Sequence, residues 1–141
     1  MAVFIDAGVF IALRNADDEN HERSVELMKR ALKGEFGLLY TSDYIFDECV
    51  TTALVRTKRH DLAVDVGEYV LKSPRITKFS ITKDDFNEAW VKFQKLKDRP
   101  ISFTDCTTLV LMDKHNIRQI MSFDTGFNGL TKRISWLSTH P

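Results

Sequence analysis

Short apolar runs alternate with longer segments of helical periodicity along the whole chain. Each apolar run has the composition of a buried strand, and the runs lie at residues 2–5, 38–40, 76–79, 119–123 and 134–137. Apolar residues recur at helical spacing in the segments between them, which predicts helices at residues 8–13, 19–32, 43–58, 60–72, 82–97 and 103–114. Strands that alternate with helices form parallel sheets covered on both faces. The sequence therefore predicts an α/β fold, a three-layer α/β/α sandwich around a parallel sheet of about five strands.

Residues that cap helices mark several of the predicted ends. Ser42 is a good N-cap directly before the third helix. Thr82 and Asp85 resemble a capping box in which aspartate takes the place of the usual glutamate. Gly34 follows the last turn of the second helix, where glycine commonly ends a helix.

The size of the chain indicates one domain, over residues 1–141. Two cysteines exclude a disulfide scaffold, and the longest apolar stretch is too short to span a membrane. The N-terminus lacks the features of a signal peptide, so we expect a cytoplasmic protein. Twenty basic and 20 acidic residues give a net charge of 0, so overall charge does not indicate a nucleic-acid partner. The positions of the acidic residues along the chain are therefore more informative about function than the net charge.

Two aspartates follow predicted strands. Asp6 ends the first strand, and Asp124 ends the strand at 119–123. Aspartate is common in turns and as an N-cap, so each residue alone favours a structural interpretation. Ligands of open α/β sheets bind at the carboxyl ends of the strands. Two acids at that edge make a functional interpretation equally reasonable.

Two further acids lie beside apolar helix faces. Glu48 borders the stripe of Ile45, Cys49 and Ala53, and Asp105 precedes an apolar segment in the last helix. Buried carboxylates are costly unless they are paired, hydrogen-bonded or bound to metal. The alternative is that both reach solvent, with Asp105 interacting with the helix dipole.

Four carboxylates at one edge would repel one another, and a divalent cation would remove that penalty. Ligation by oxygen alone suits Mg²⁺ or Mn²⁺, and the histidines and cysteines show no spacing that favours zinc. Neither a phosphate-binding loop nor a dinucleotide fingerprint is present. Metal-assisted hydrolysis of a phosphodiester is the remaining reaction class.

Four segments in chain order carry a family resemblance: residues 3–13, 41–48, 102–106 and 120–127. Together they resemble the motifs of PIN-domain ribonucleases, and within that family the VapC-type toxins of toxin–antitoxin pairs. The resemblance implies a PIN-like five-stranded sheet between helices and cleavage of single-stranded RNA that depends on Mg²⁺ or Mn²⁺. It also implies frequent homodimers and inhibition by a cognate antitoxin. Gly126 departs from the family, because many members carry another acid there.

Roles for individual residues follow from the resemblance as hypotheses. Asp6, Glu48 and Asp105 would form the metal site, and Asp124 would complete it or position the attacking water. Hydroxyl groups that could orient the carboxylates are those of Thr104, Ser122 and Thr125. The candidate RNA-binding cations are Arg56 and Lys58, which continue the helix bearing Glu48.

Other interpretations remain open. A PIN-type nuclease could process RNA without an antitoxin, and a non-catalytic α/β module could use its carboxylates structurally. A phosphatase or receiver-like domain is a further candidate; haloacid dehalogenase-type phosphatases carry a second aspartate where this chain has Gly8.

The third and fourth predicted helices carry more apolar residues than one small helix pair must bury: Leu54, Val55, Leu62, Val64, Val66, Val70 and Leu71. Core packing is the favoured interpretation. A dimer face or an antitoxin groove is the alternative.

Overall fold

The computed structural model describes residues 1–136 and contains one five-stranded sheet. The strands are β1 (Ala2–Ile5), β2 (Leu38–Ser42), β3 (Ile76–Phe79), β4 (Gln119–Met121) and β5 (Lys132–Ile134). All neighbouring strands are parallel, in the order β3-β2-β1-β4-β5. The predicted parallel sheet of about five strands is confirmed.

Six helices in the described residues connect these strands: α1 (Ala7–Arg14), α2 (His21–Leu32), α3 (Asp43–Thr57), α4 (His60–Lys72), α5 (Lys83–Lys95) and α6 (Phe103–Lys114). Right-handed crossovers place α1 to α4 on one face of the sheet, because β1, β2 and β3 follow one another in one direction. The connection from β3 to β4 runs back across the sheet and places α5 and α6 on the other face. Accordingly, α1 packs on α2, α3 and α4, and α5 packs on α6. The three-layer α/β/α architecture is confirmed.

The central strand β1 determines where the ends of the other elements meet. Val3, Phe4 and Ile5 are fully buried, as expected for a strand covered by helices on both faces. Strands β2 and β3 lie on one side of β1, and β4 and β5 lie on the other. The carboxyl ends of β1 and β4 therefore flank the topological switch point, where open α/β sheets bind ligands.

The last predicted strand was misplaced. β5 covers Lys132–Ile134 instead of residues 134–137, and its register pairs Ile134 with Met121. Its first two residues are a lysine and an arginine, which are typical of edge strands and conceal the strand from a search for apolar runs. Leu137 lies outside the described residues.

The fourth strand is shorter than predicted, because β4 ends at Met121 instead of residue 123. Ser122 keeps one backbone bond to β5, from its N–H to the Ile134 carbonyl at 3.0 Å, but it has left the strand conformation. Asp124 therefore lies in the following loop, three residues beyond β4, where it caps the 3-10 turn Thr125–Phe127.

The predicted helix caps are present. The Ser42 hydroxyl accepts the N–H of Ile45 at 3.1 Å, and Thr82 and Asp85 form a reciprocal capping box. Helix α2 begins at His21, two residues later than predicted, because the Asp18 carboxylate holds a turn before it by accepting the N–H of Asn20 at 2.8 Å. None of the helices within residues 1–136 combines the length and apolar character needed to cross a bilayer.

The apolar side chains of the third and fourth helices divide between core and surface. Leu62, Val66 and Val70 are buried on α4, which packs against α3 and α1, as core packing predicts. The surface holds the remainder: Leu54, Val55, Val64 and Leu71 are exposed. Core packing therefore accounts for only part of the apolar excess.

Helices α3 and α4 approach closely at Gly67. A Cβ atom at this position would lie 2.9 Å from Val50 Cγ1 and 3.1 Å from Phe46 Cε2. Such distances are shorter than van der Waals contact, so glycine allows α4 to seat against the helix that carries Glu48.

Substitution Gly67→Ala should lower the free energy of unfolding by about 1–3 kcal/mol, the usual cost of an added methyl group in a packed interface. Alanine is favoured over glycine inside a helix by about 1 kcal/mol, so a loss would report the steric contact. In a Val50→Ala background the shorter of the two contacts is removed and only the contact with Phe46 remains, so the same substitution should cost less. Urea unfolding of the four proteins measures this coupling; an equal effect of Gly67→Ala in both backgrounds would contradict the close approach.

Candidate metal centre

Asp6 is fixed at the switch point by bonds to two strands. Its N–H donates to the Met121 carbonyl at 3.0 Å, which joins the end of β1 to the end of β4. As the N-cap of α1, it accepts the N–H of Ala7 on Oδ1 at 2.9 Å. The hydroxyl of Ser122 donates to Oδ2 at 2.6 Å. Asp6 is almost fully buried, so its carboxylate has one defined position.

Asp105 is positioned by the first turn of α6. Ser102 caps the helix, and its hydroxyl accepts the N–H of Asp105 at 3.0 Å. In return, Asp105 Oδ2 accepts the N–H of Ser102 at 3.1 Å, which completes a capping box. Within residues 1–136, Asp105 Oδ1 accepts no hydrogen bond and remains available to a ligand.

Glu48 enters from α3, which begins at the carboxyl end of β2. Its Oε2 atom is buried and has no hydrogen-bond partner among the described residues. An unsatisfied buried carboxylate oxygen carries a large desolvation cost. The unsatisfied Glu48 oxygen is therefore the clearest indication that a ligand could bind at this site.

The three carboxylates converge at one point. Asp6, Glu48 and Asp105 each offer an oxygen atom, and these atoms lie within 4.8 Å of one another. Oxygen ligands on opposite sides of a Mg²⁺ ion are about 4 Å apart, because each bond is about 2.0–2.1 Å long. The spacing and the all-oxygen donor set thus fit one divalent cation, as does the unsatisfied Glu48 oxygen.

Electrostatics at the site disfavour negative charge. Burial, followed by the charges of the other acids, raises the pKa of Glu48 to about 7, although Arg56 opposes this shift. Burial also raises the pKa of Asp6 to about 6 against the hydrogen bond from Ser122. The pKa of Asp105 is raised for the same first reason, burial. A bound cation would reverse all three effects.

Asp124 stands beside the three converging carboxylates without joining them. Its N–H donates to the Ser122 hydroxyl at 3.0 Å, so Ser122 links it to Asp6. Asp124 Oδ1 accepts the N–H of Gly126 at 2.8 Å, and a Cβ atom at position 126 would lie 3.0 Å from that oxygen. The residue that departs from the family motif therefore holds Asp124 by its backbone, where a side chain would crowd it.

Some of the remaining predicted residues contact the cleft or the carboxylates, and others do not. Arg56 lines the cleft, whereas Lys58 is the exposed C-cap of α3 and is not among the lining residues that the structure describes. Among the described residues, the hydroxyl groups of Thr104 and Thr125 make no hydrogen bond to the carboxylates. Ser122 is the one of the three predicted hydroxyl residues that does so within residues 1–136.

The cleft around the carboxylates has a volume of about 350 Å³ and contains residues that the sequence did not suggest. Asp18, Glu19, Asn20 and Thr52 also line it. Ser102 was missed as well, although the Ser-x-x-Asp spacing to Asp105 matches the pattern recognised at Thr82. The acids at 18 and 19 carry no such signal, because they lie in an irregular loop.

Fold and site together define a class: α/β proteins with three carboxylates converging at the switch point of a parallel sheet. Residues 3–132 match the PIN domain family, and the chain belongs to that family. The family predicted from the four motifs is thereby confirmed.

Individual proteins of known sequence or structure are also similar to this chain. A VapC ribonuclease from Archaeoglobus fulgidus is 25% identical over 130 residues, which cover 91% of this chain and 80% of the relative. The crystal structure of VapC20 from Mycobacterium tuberculosis, described as a sarcin–ricin loop cleaving toxin, is 26% identical with a TM-score of 0.81. That similarity covers 94% of this chain and 98% of the other. A toxin–antitoxin complex from Klebsiella pneumoniae shares the fold at 13% identity, with a TM-score of 0.62 over 95% of this chain and 97% of that one.

Cation binding should depend on pH through Glu48. A raised pKa in the folded state means that folding favours protonated Glu48, so the metal-free protein loses stability as pH rises from the ordinary glutamate value towards 7. A cation competes with these protons, so Mg²⁺ or Mn²⁺ should raise the melting temperature more at pH 8 than at pH 6.

The substitution Glu48→Gln should raise the melting temperature of the metal-free protein at pH 8 and remove most of the response to metal. Asp47→Asn is the matched control, because it deletes an exposed carboxylate one residue away on the same helix. Calorimetry in chelator and in added metal measures the melting temperature and its response to metal. An equal metal response in the wild type and Glu48→Gln would contradict the assignment.

Proposed function

We propose that this protein is a metal-dependent endoribonuclease that hydrolyses phosphodiester bonds of single-stranded RNA, and that it is the toxin of a toxin–antitoxin pair. The convergence of Asp6, Glu48 and Asp105, with an unsatisfied buried oxygen on Glu48, carries the proposal. The names of its relatives, a VapC ribonuclease and an RNA-cleaving VapC20 toxin, support the substrate class.

Asp6, Glu48 and Asp105 would hold Mg²⁺ or Mn²⁺. When bound, such a cation polarises a phosphoryl oxygen, lowers the pKa of a water molecule and stabilises the leaving oxygen. The part of the protein is to hold the three carboxylates in fixed positions. Ser122 contributes by donating to Asp6, and Ser102 contributes by holding Asp105 through the capping box.

We propose that Asp124 orients the attacking water. One of its oxygens, Oδ1, is bonded to Gly126, and Oδ2 accepts no hydrogen bond within the described residues. A carboxylate oxygen at the edge of the cleft can accept a proton from water as the nucleophile forms. Asp124 would thus act on the water, in keeping with its place outside the three converging carboxylates.

Arg56 would be the cation that meets the substrate backbone. It lines the same cleft as the carboxylates and is close enough to lower the pKa of Glu48. A guanidinium group can bind a phosphate through two parallel hydrogen bonds. Lys58 follows Arg56 by two residues, lies outside the cleft and would contact the RNA strand beyond the cleaved bond.

An antitoxin is the proposed protein partner. The toxin–antitoxin complex from Klebsiella pneumoniae shares this fold, which supports a partner of that kind. A homodimer and a cytoplasmic location remain predictions.

Replacing Asp6 by asparagine tests the metal site with little disturbance of the fold. Asparagine is as good an N-cap as aspartate and still accepts a hydrogen bond, but it carries no charge. Cleavage of mixed single-stranded RNA in Mg²⁺ or Mn²⁺ should fall by more than about 100-fold, since even groups that only orient metal ligands contribute about 10- to 100-fold. Asp47→Asn should retain activity. Cleavage that persists in chelator would overturn the proposal.

Arg56 should contribute one phosphate contact. In Arg56→Ala, RNA affinity should fall at every RNA sequence, and the slope of log affinity against log salt should decrease by about 0.7–1. The effect of Lys58→Ala should be smaller, because Lys58 lies outside the cleft. Fluorescence anisotropy with an uncleaved single strand at several salt concentrations measures the slopes. A wild-type affinity that is independent of salt would refute the contact.

A further inference from the structure

A second cavity adjoins the cleft of the three carboxylates. It has a volume of about 250 Å³ and lies between the start of α2, the loop that follows β4, and the end of β5. Glu19, Asn20 and Phe123 line both cavities and form the boundary between them. A ligand that fills both cavities would therefore place one group at the carboxylates and a neighbouring group in the second cavity.

Phe123 provides an aromatic ring at this boundary. The ring is half-buried and packs against the core, and among the described residues no other aromatic ring stacks on it. The residue before it is fixed, because the Ser122 hydroxyl donates to Asp6 at 2.6 Å and accepts the N–H of Asp124 at 3.0 Å. Arg133 Nη1 also donates to the Ser122 carbonyl at 3.0 Å. The backbone that carries the ring is therefore tied to the carboxylate site.

The wall of the second cavity also carries another ring and a planar cation. The guanidinium group of Arg23 lies over the ring of Trp136, 5.4 Å from its centroid. Arg23 Nη1 donates to Asn20 Oδ1 at 3.2 Å. Trp136 Nε1 donates to Glu26 at 2.6 Å, which holds the indole ring in place. Aromatic rings and guanidinium planes are the surfaces on which proteins stack unpaired RNA bases.

Hydrogen-bonding groups line the same cavity. Asn20 is the N-cap of α2, but its side chain makes no capping bond. Within residues 1–136 its amide nitrogen donates no hydrogen bond, and the exposed carboxylate of Glu19 accepts none. The edges of bases carry donors as well as acceptors, and an amide and a carboxylate can pair with both kinds.

The balance of charge favours a neutral ligand over a phosphate group. Two arginines line the cavity, Arg23 and Arg133. Acidic residues offset them, and these lie in the cavity, beside Arg23 on α2 or in the adjoining cleft: Glu19, Glu22, Glu26, Asp18 and Asp124. A phosphate group would meet these carboxylates as well as the arginines, whereas a base has no net charge. The volume lies just below the range for drug-sized ligands, about 300–1,000 Å³, and suits a single flat ring system.

We propose that this cavity holds the base of a nucleotide that flanks the cleaved bond of the RNA substrate. We call it the base pocket, and the residues that define it are Glu19, Asn20, Arg23, Phe123, Arg133 and Trp136. The base stacks on Phe123, and Asn20 and Glu19 pair with its edge. The inference rests on the proposed ribonuclease function and adds a reason for its preference for single strands, because a base must leave its stack to enter the pocket.

The base pocket can be tested in chelator, without cleavage, by adding single ribonucleosides to the protein. Two-dimensional proton–nitrogen NMR spectra are recorded with each of the four ribonucleosides in turn and with ribose as the control. At least one nucleoside should shift the backbone amide signals of Asn20, Phe123 and Thr125, because every base has a face that stacks on an aromatic ring. Ribose should leave these signals in place. No shift with any of the four nucleosides would overturn the pocket.

Cleavage tests whether the nucleotide in the pocket flanks the cleaved bond. Single-stranded RNA with one abasic residue at one of the two flanking positions should be cut about 5- to 150-fold more slowly than the intact strand, the range for one stacked base. In Phe123→Ala the abasic residue should cause little further loss, because the contact is already absent. An equal abasic penalty in the wild type and in Phe123→Ala would contradict the contact.

Further variants make the result independent of the folding of Phe123→Ala, which thermal unfolding checks. Phe123→Tyr keeps an aromatic ring and should keep most of the abasic penalty. Asn20→Ala removes a side chain that makes no capping bond, and it should weaken the nucleoside shifts at Phe123. Lys29→Ala is the matched control on α2, because it truncates an exposed side chain that is not among the described lining residues of either cavity. It should behave as the wild type in both measurements.

The two measurements separate the base pocket from the ribonuclease function. Cleavage of RNA in Mg²⁺ or Mn²⁺ by a protein that responds to no nucleoside would overturn the pocket and leave the ribonuclease proposal standing. Nucleoside shifts at Asn20 and Phe123 without cleavage in either metal would support a pocket for bases and reject the ribonuclease.

Discussion

The repulsion among three buried carboxylates is the constraint on which the site depends. Asp6, Glu48 and Asp105 come from β1, α3 and α6, and the fold holds an oxygen of each within 4.8 Å of the others. Burial raises the pKa of all three, so the metal-free arrangement favours protons where the proposed chemistry requires charge. The three carboxylates meet there because β1 lies at the switch point, where its carboxyl end lies near the first turns of α3 and α6. A bound cation would turn the same arrangement from unfavourable to favourable.

Hydrogen bonds hold two of the three converging carboxylates, those of Asp6 and Asp105, in place. The Ser122 hydroxyl donates to Asp6 and accepts from the backbone of Asp124, so one side chain positions acids with two different proposed roles. The capping box of α6 fixes Asp105 in the same way. Glu48 lacks such support at Oε2, and this asymmetry makes it the residue that depends most on a ligand.

Much of the fold followed from the sequence because buried parallel strands and amphipathic helices carry strong periodic signals. The five-stranded parallel sheet and the caps at Ser42 and Thr82 were predicted, whereas β5 was misplaced because an edge strand with lysine and arginine has no apolar signature. The four acids could be selected because each follows a predicted strand or lies beside an apolar helix face. The sequence could not separate Asp124 from the other three, since that depends on where β4 ends. Nor could it distinguish Ser122 from Thr104 and Thr125, because only the three-dimensional path of the loop brings one hydroxyl to Asp6.

The central claim is that Asp6, Glu48 and Asp105 bind one divalent cation together. Crystals grown with Mn²⁺, with diffraction data collected on both sides of the manganese absorption edge, test it directly. The account predicts an anomalous difference peak within bonding distance, about 2.0–2.3 Å, of one oxygen from each carboxylate. Saturating Mn²⁺ with the three carboxylates well ordered and no peak between them would contradict it.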